Sequence, residues 1–280
     1  MMRTRKGHKV YPLTVAQKFH LYYLPFCPTA AVLNIGTSLT IEVEIDWDVL
    51  AKSINKAYAR SEGMRIRLAK DKEGTYYQYI VDPEEKEIEF ADFSNGTMEE
   101  AEATMQKWTT VPFKMEDSPL TRIVMIKMPD GFNGIYFLAH HMIVDAQSLI
   151  CFLKDIIELY CNEKYEGVPY PKEMTSYLEQ LQKDLAYEAG SKAQKRDIEF
   201  FQKEIEKGEP IYNGIHGTDK LNAAREMFKN PELRTAFNAS DDTTSALDIF
   251  HLEAEPTKRL MDFCEKYHVS LACLLLMGLR

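Results

Sequence analysis

The segment Phe137 to Leu149, FLAHHMIVDAQSL, ends an apolar run on two adjacent histidines, His140 and His141, and places Asp145 four residues after the second. Imidazole is the side chain that titrates nearest neutrality, so a histidine facing a cleft can serve as general base, taking a proton from an amine, hydroxyl or thiol as it attacks an acyl carbonyl. The reaction class would be acyl transfer. Two other readings use the same residues. Asp145 can simply cap the helix that follows, leaving the histidines as satisfied core residues at a sheet end. Alternatively His140, His141 and Asp145 can be metal ligands, but adjacent side chains on a strand point to opposite faces and such a set rarely converges, so no metal is expected. A protein nucleophile is not needed, and neither a GxSxG elbow nor a Cys-His arrangement stands in the chain. Cys151, on the apolar run beside the histidines, reads as packing.

The elements that must position these residues are legible from periodicity. LTRIVMIKM and NGIYFLAHH flank Pro129, Asp130 and Gly131, a hairpin signal because Asp-Gly supplies positive φ at little cost. The histidines therefore end the second arm of a hairpin. From Gln147 to about Tyr160 the sequence is apolar over a broad face, as in a helix packed on a sheet. Upstream, Thr14 caps a short helix with Ala16, Phe19 and Tyr23 on one side, and Ala31 to Ile45 reads as strand. Asp46 then caps a helix from Trp47 to about Arg60, with Leu50, Ile54 and Ala57 inward and Gly63 at its end. MRIRLAK, TYYQYIV and KEIEFADF predict an antiparallel meander, and MEEAEATMQKW, after Thr97, a second helix. A polar helical region runs from Ser176 to about Lys207, and an irregular connector from Asn213 to Asp242. Strand-like IFHLEAE, a Pro-started helix and an apolar helix from near Ser270 follow, and the chain stops inside that helix, as a second unit only begun would. The expected organisation is a lobe over 1–170, a helical linker and connector over 171–243, and the start of a truncated further lobe over 244–280.

Composition bounds the function. A chain of 280 residues, 45% hydrophobic, can bury a sizeable core. Its 43 acidic and 34 basic residues are spread along the chain for a net charge of -9, so no basic face suits nucleic acid. The basic start MMRTRKGHKVYPLT lacks the apolar core of a signal peptide, and no stretch of about 18 apolar residues exists to span a membrane. A cytoplasmic protein is expected. Five cysteines, odd in number and without a CxxC pair, predict reduced thiols.

HHMIVDA, ending a buried strand before an apolar helix, resembles the HHxxxDG motif of the condensation domains of nonribosomal peptide synthetases, which belong with chloramphenicol acetyltransferase. LTVAQ is similar to the opening SxAQ motif, with Thr14, Ala16 and Gln17 in register. RSEGMRIRL resembles RHExLRTxF: Arg60, Glu62 and Arg65 match, and Met64 replaces Leu. DSPLTRIVMI is similar to the PL-containing strand, and SYLEQ with DIEFFQKEI to the helical linker. The likeness runs over about the first 210 residues, and the last segment resembles the start of a second lobe. Departures stand beside it. Ala146 replaces the usual glycine, Ser61 the histidine of RHE, and Phe19 or its neighbour the arginine of the opening motif; the linker lacks the aromatic-Ala-x-Trp ending.

The resemblance implies an α/β, chloramphenicol acetyltransferase-like lobe, a mixed sheet packed with helices, plus the start of a second similar lobe. It implies that His141 lies in a tunnel between lobes, as base or as stabiliser of the ammonium and tetrahedral intermediate, while an acceptor aminoacyl thioester attacks a donor acyl or peptidyl thioester to form an amide. Phosphopantetheine would arrive on peptidyl or acyl carrier proteins, with no cofactor bound tightly and adjacent synthetase domains as further partners. His140 would be a positioning residue. Asp145 would be structural, paired with an arginine, Arg65 first and Arg60 second. The Ala146 methyl would narrow the tunnel or exclude positive φ. Two alternatives remain: an acyl-CoA-dependent O-acyltransferase of the same fold, and a non-catalytic carrier-protein docking domain, which Ala146 and Ser61 favour.

Overall fold

The computed structural model describes residues 4–27, 29–208, 218–233 and 250–278, and the chain divides into two units, Met1–Ala239 and Ser240–Arg280. In the first, β1 (Thr4–Arg5) and β2 (His8–Pro12) precede α1 (Val15–Tyr23) and β3 (Asn34–Ile41). Then come α2 (Trp47–Arg60), β4 (Ile66–Lys70), β5 (Tyr76–Ile80), β6 (Glu89–Asp92) and α3 (Met98–Thr109). The hairpin β7 (Thr121–Lys127) and β8 (Asn133–His140) leads into α4 (Ala146–Lys164), α5 (Tyr177–Glu188), α6 (Lys192–Glu206) and α7 (Thr218–Met227).

The hairpin forms as its turn residues require, with Gly131 at φ 84°. All eight residues of β8 are buried, because both faces of its sheet are covered. Phe137 and Ala139 face Ile54 of α2 and Phe152 and Ile156 of α4, while Tyr136 and Leu138 face Ala101 and Met105 of α3. Each such large apolar side chain contributes roughly 1.5–3 kcal/mol. Strand order is β3-β8-β7-β6. β3 lies so close to β8 at Gly134 that a Cβ there would collide with the Leu39 carbonyl oxygen. Its far end is set by its partner: Ile41 pairs with Asn133, the first residue of β8, so the strand expected through Ile45 stops at Ile41.

The predicted meander does not form as a three-stranded unit. In the other sheet, ordered β1-β2-β5-β4, both edges of β5 are already occupied, by β2 and β4. β6 therefore crosses to pair in parallel with β7, which makes that sheet mixed. The face of α1 also differs from expectation: Gln17 is its buried residue, whereas Phe19 is 63% exposed and Ala16 lies outward. The reason is the amide of Gln17, whose hydrogen bonds to Gln78 and to the Met142 carbonyl turn that side of the helix inward. Cys151 sits on the exposed side of α4 and not in the packing.

The polar helical region resolves into α5 and α6. The predicted irregular connector contains α7, whose Arg225 donates to the Leu233 carbonyl; residues 213–217 and 234–242 of that connector lie outside the described residues. In the second unit, α8 (Ala254–Tyr267) and α9 (Leu271–Gly278) form where helices are expected. Residues 250–253 are not strand, since the described part of this unit offers no strand to pair with, and Ile249 lies outside the described residues. No helix among the described residues is long and apolar enough to cross a membrane.

Candidate active site at the end of strand β8

The strand ends at His140 because the chain turns at once, Ile143 N donating to the His140 carbonyl at 3.1 Å. Flanking segments hold both histidines by their backbones. His140 N donates to Leu120 O at 2.9 Å, and His141 N to Leu33 O at 2.7 Å. The two rings then meet different surroundings, as alternation along a strand requires.

His140 is 1% exposed, and its Nδ1 accepts a hydrogen bond from Met142 N at 3.1 Å. A backbone N–H can only donate, so Nδ1 is bare and the neutral ring carries its proton on Nε2. Burial first, then His20 and His141, push this imidazole down to about 4. In the unfolded chain it titrates near 6.5, so the unfolded state binds the extra proton between about pH 6.5 and 4. The stabilisation is whole above 6.5 and is lost as pH falls through that window. Urea unfolding at pH 7, 5.5 and 4 is expected to reveal about 3 kcal/mol of acid destabilisation from this group. His140→Gln, which does not titrate, should remove it; an unchanged pH dependence would refute the assignment.

His141 is half-buried, and its Nδ1 is buried without a hydrogen-bond partner among the described residues. Its ring lies against His20 of α1, with centroids 4.7 Å apart and planes tilted by 34°.

Asp145 is exposed and pairs with no arginine. It is the N-cap of α4, in a capping box with Ser148: its Oδ1 accepts from Ser148 N at 2.8 Å and from Ser148 Oγ at 2.7 Å, and its own N donates to Ser148 Oγ at 2.8 Å. Those hydrogen bonds, the backbone one first, hold its carboxyl below the ordinary range. Neither expected arginine is free to reach it. Arg65 spends its guanidinium on the carbonyls of Tyr58, Ala59 and Val81, tying the end of α2 to the end of β5. It also lines a cavity of about 240 Å³ with Tyr58, Met64, Arg67 and Arg122, in which His141 takes no part. Arg60 grips Asp155 of α4 through two hydrogen bonds of 3.1 Å. Asp145→Asn, which keeps the capping oxygen, is therefore expected to be near neutral in thermal unfolding, and Asp145→Ala to cost about 1 kcal/mol. A large loss for Asp145→Asn would restore the ion-pair account.

Ala146 opens α4, is exposed, and is absent from the residues with positive φ, so its backbone makes no demand that glycine alone could meet. The structure thus brings His140, His141, Asp145 and Ala146 into one turn and leaves Arg65 outside it.

A family model described as the condensation domain matches residues 7–279. The chain belongs to the condensation domain family. It is 25% identical over 177 residues to a plipastatin synthase of Bacillus subtilis (strain 168), covering 63% of this chain and 7% of that protein. To surfactin synthase subunit 1 of the same organism it is 27% identical over 205 residues, covering 70% of this chain and 6% of that protein. The chain thus spans less than a tenth of these relatives. Among solved structures, the starter condensation domain of the rhizomide synthetase RzmA superposes with a TM-score of 0.65 at 18% identity, over 72% of this chain and 50% of that one. The first condensation domain of the calcium-dependent antibiotic synthetase, in complex with a substrate analogue, gives 0.63 at 20% identity, over 79% and 57%. These two show the fold, an α/β lobe with a mixed sheet packed by helices.

Within this condensation domain the opening motif does a structural task that spacing alone did not reveal. Gln17, in a capping box with Thr14, donates from Nε2 to Met142 O at 3.1 Å, so α1 is fastened to the histidine turn. Gln17 and Gln78 of β5 exchange amide hydrogen bonds of 3.1 and 2.9 Å, and Tyr177 donates to Gln78 Oε1 at 2.7 Å. Glu62 of the second motif accepts from Ser176 Oγ at 2.8 Å and Leu178 N at 3.0 Å, holding the start of α5. Sequence reasoning missed Gln78, Tyr177 and His20. A glutamine inside the apolar strand TYYQYIV was a usable signal, since a buried amide needs partners. For His20 the signal was its position three residues after Gln17, on the same face of α1.

Proposed function

We propose that this condensation domain forms an amide between a donor acyl or peptidyl thioester and an acceptor aminoacyl thioester, both presented on phosphopantetheine arms of carrier proteins. The observation that carries this reading is the division of labour in the turn. His140 is buried and committed to Met142 N, Asp145 is committed to Ser148, and His141 alone of the three is half-buried with no side-chain hydrogen bond among the described residues. The acceptor amine attacks the donor carbonyl, a C–N bond forms and the C–S bond breaks. His141 takes the amine proton as attack proceeds, and that proton ends on the departing thiolate. The remainder of the turn has only to hold this ring still.

The neighbouring synthetase domains and their carrier domains are the partners. The cytoplasm is the proposed setting, which suits an odd number of widely spaced thiols. Residues 1–170 are the lobe bearing His141, 171–243 the linker and connector, and 244–280 the beginning of a second lobe. The test is a direct competition in the intact protein: carrier-bound donor with carrier-bound aminoacyl acceptor, against acyl-CoA with an alcohol. Amide from the first pair supports the proposal. Ester from the second pair alone would replace it with an O-acyltransferase, and carrier binding with no product from either would leave a docking domain.

A further inference from the structure

A base that must accept a proton at one atom usually has its ring oriented by a hydrogen bond at the other nitrogen. His141 lacks that device: its Nδ1 is buried and unpartnered among the described residues. What does touch the ring is His20, with centroids 4.7 Å apart and a tilt of 34°. The placement of His20 is built and not incidental. Thr14 fixes the start of α1, and Gln17 ties that helix to the Met142 carbonyl, one residue after His141. His20 follows one turn later on the same face, so the helix that is fastened to the turn also delivers a second imidazole to it.

From this geometry we infer that His20 is a positioning residue for His141, bracing its ring through face contact and, while neutral, leaving it able to accept the acceptor amine's proton. The inference rests on the amide-forming reading above. Its electrostatic half follows from distance. A cation on His20 would stand against the ring on which positive charge must develop, and like charges this close oppose one another. Burial, and then His141, lower the titration of His20 below its ordinary value. It is therefore neutral near pH 7 and becomes charged only as pH falls. Three titratable groups surround it: His141 faces it from the turn, His140 acts on it from the end of β8, and Asp145, which interacts with His141, is held in the cap of α4. On α1 itself, Lys18 is drawn away to Glu188 at 2.7 Å.

Two substitutions separate bracing from charge. His20→Phe keeps an aromatic face and cannot titrate; His20→Ala removes both. In single-turnover amide formation by the intact protein at pH 8, His20→Phe is expected within about threefold of wild type and His20→Ala roughly tenfold slower, because the ring is no longer held. Between pH 7 and 5 the wild-type rate should fall more steeply than that of His20→Phe, because only the wild type places a second cation against the His141 ring as pH drops. A merely structural role would change neither slope. Wild-type rate and slope in His20→Ala would overturn the inference. A wild type that forms no amide at any pH counts against the amide-forming reading alone, and the contact is then decided by histidine-selective NMR of the 280-residue chain. His20→Ala must move the His141 ring resonances, and unmoved resonances with retained circular dichroism would overturn the inference by themselves.

Discussion

Alanine in place of His141 is expected to slow amide formation by about 10²- to 10⁴-fold, the usual contribution of a positioned general acid or base. The fold should survive. The imidazole makes no side-chain hydrogen bond among the described residues, and the backbone bond from His141 N to Leu33 O is indifferent to the side chain. Circular dichroism and the thermal midpoint should therefore stay near wild type while single-turnover product falls. The contrast with Asp145→Asn is informative, because both residues belong to one motif. If both variants lose activity alike with intact folds, the aspartate does more than cap α4. If His141→Ala turns over at the wild-type rate, the histidine is structural and the docking-domain reading takes precedence.

The second large effect is on stability. Arg60→Met should cost about 3–5 kcal/mol, because it strands a buried carboxylate. Asp155 has a side chain only 6% exposed, and Arg60, itself 15% exposed, meets it with two hydrogen bonds. The guanidinium also reaches the carbonyls of Pro171 and Lys172 and lies over the Tyr170 ring, 5.0 Å from its centroid. One side chain thus joins α2, α4 and the segment leading to α5. For a unit of this size the loss corresponds to a Tm drop of roughly 10 °C. The double variant Arg60→Met, Asp155→Leu should recover much of it, since two apolar groups leave no charge unpaired. A loss below about 1 kcal/mol in the single variant would mean that Asp155 is solvated after all.

The motif of two histidines and an aspartate was legible as a strand end followed by a helix, and so was the N-cap reading of Asp145. What failed was the choice of its partner. The motif arginines, Arg60 and Arg65, were read for their charge, but the fold uses them through what each can reach: a carboxylate on α4 for the first, three carbonyls for the second. Periodicity could not have shown this, because pairing across elements depends on which helix packs on which, and α2 against α4 is a tertiary fact. Strand crossing was hidden for a similar reason. KEIEFADF has the alternation of a third meander strand, and only the occupation of both β5 edges sends it elsewhere. His20 and Gln78 do not stand out in the sequence because each sits in a segment whose pattern shows only its apolar positions, while its partner lies on another element.

The position of β8 between β3 and β7 also fixes when the site can come into being. Asn34 pairs with His140, more than a hundred residues later, so during synthesis β3 must wait for its neighbour, on the order of ten seconds at ribosomal speed. The nascent chain carries an unpaired strand through that interval, and chaperone occupancy there is the natural safeguard. His140 is the last residue of the strand to emerge, and His141 opens the turn that follows. The turn can thus assemble only after β8 has taken its place between β3 and β7 and the sheet's central register has been chosen.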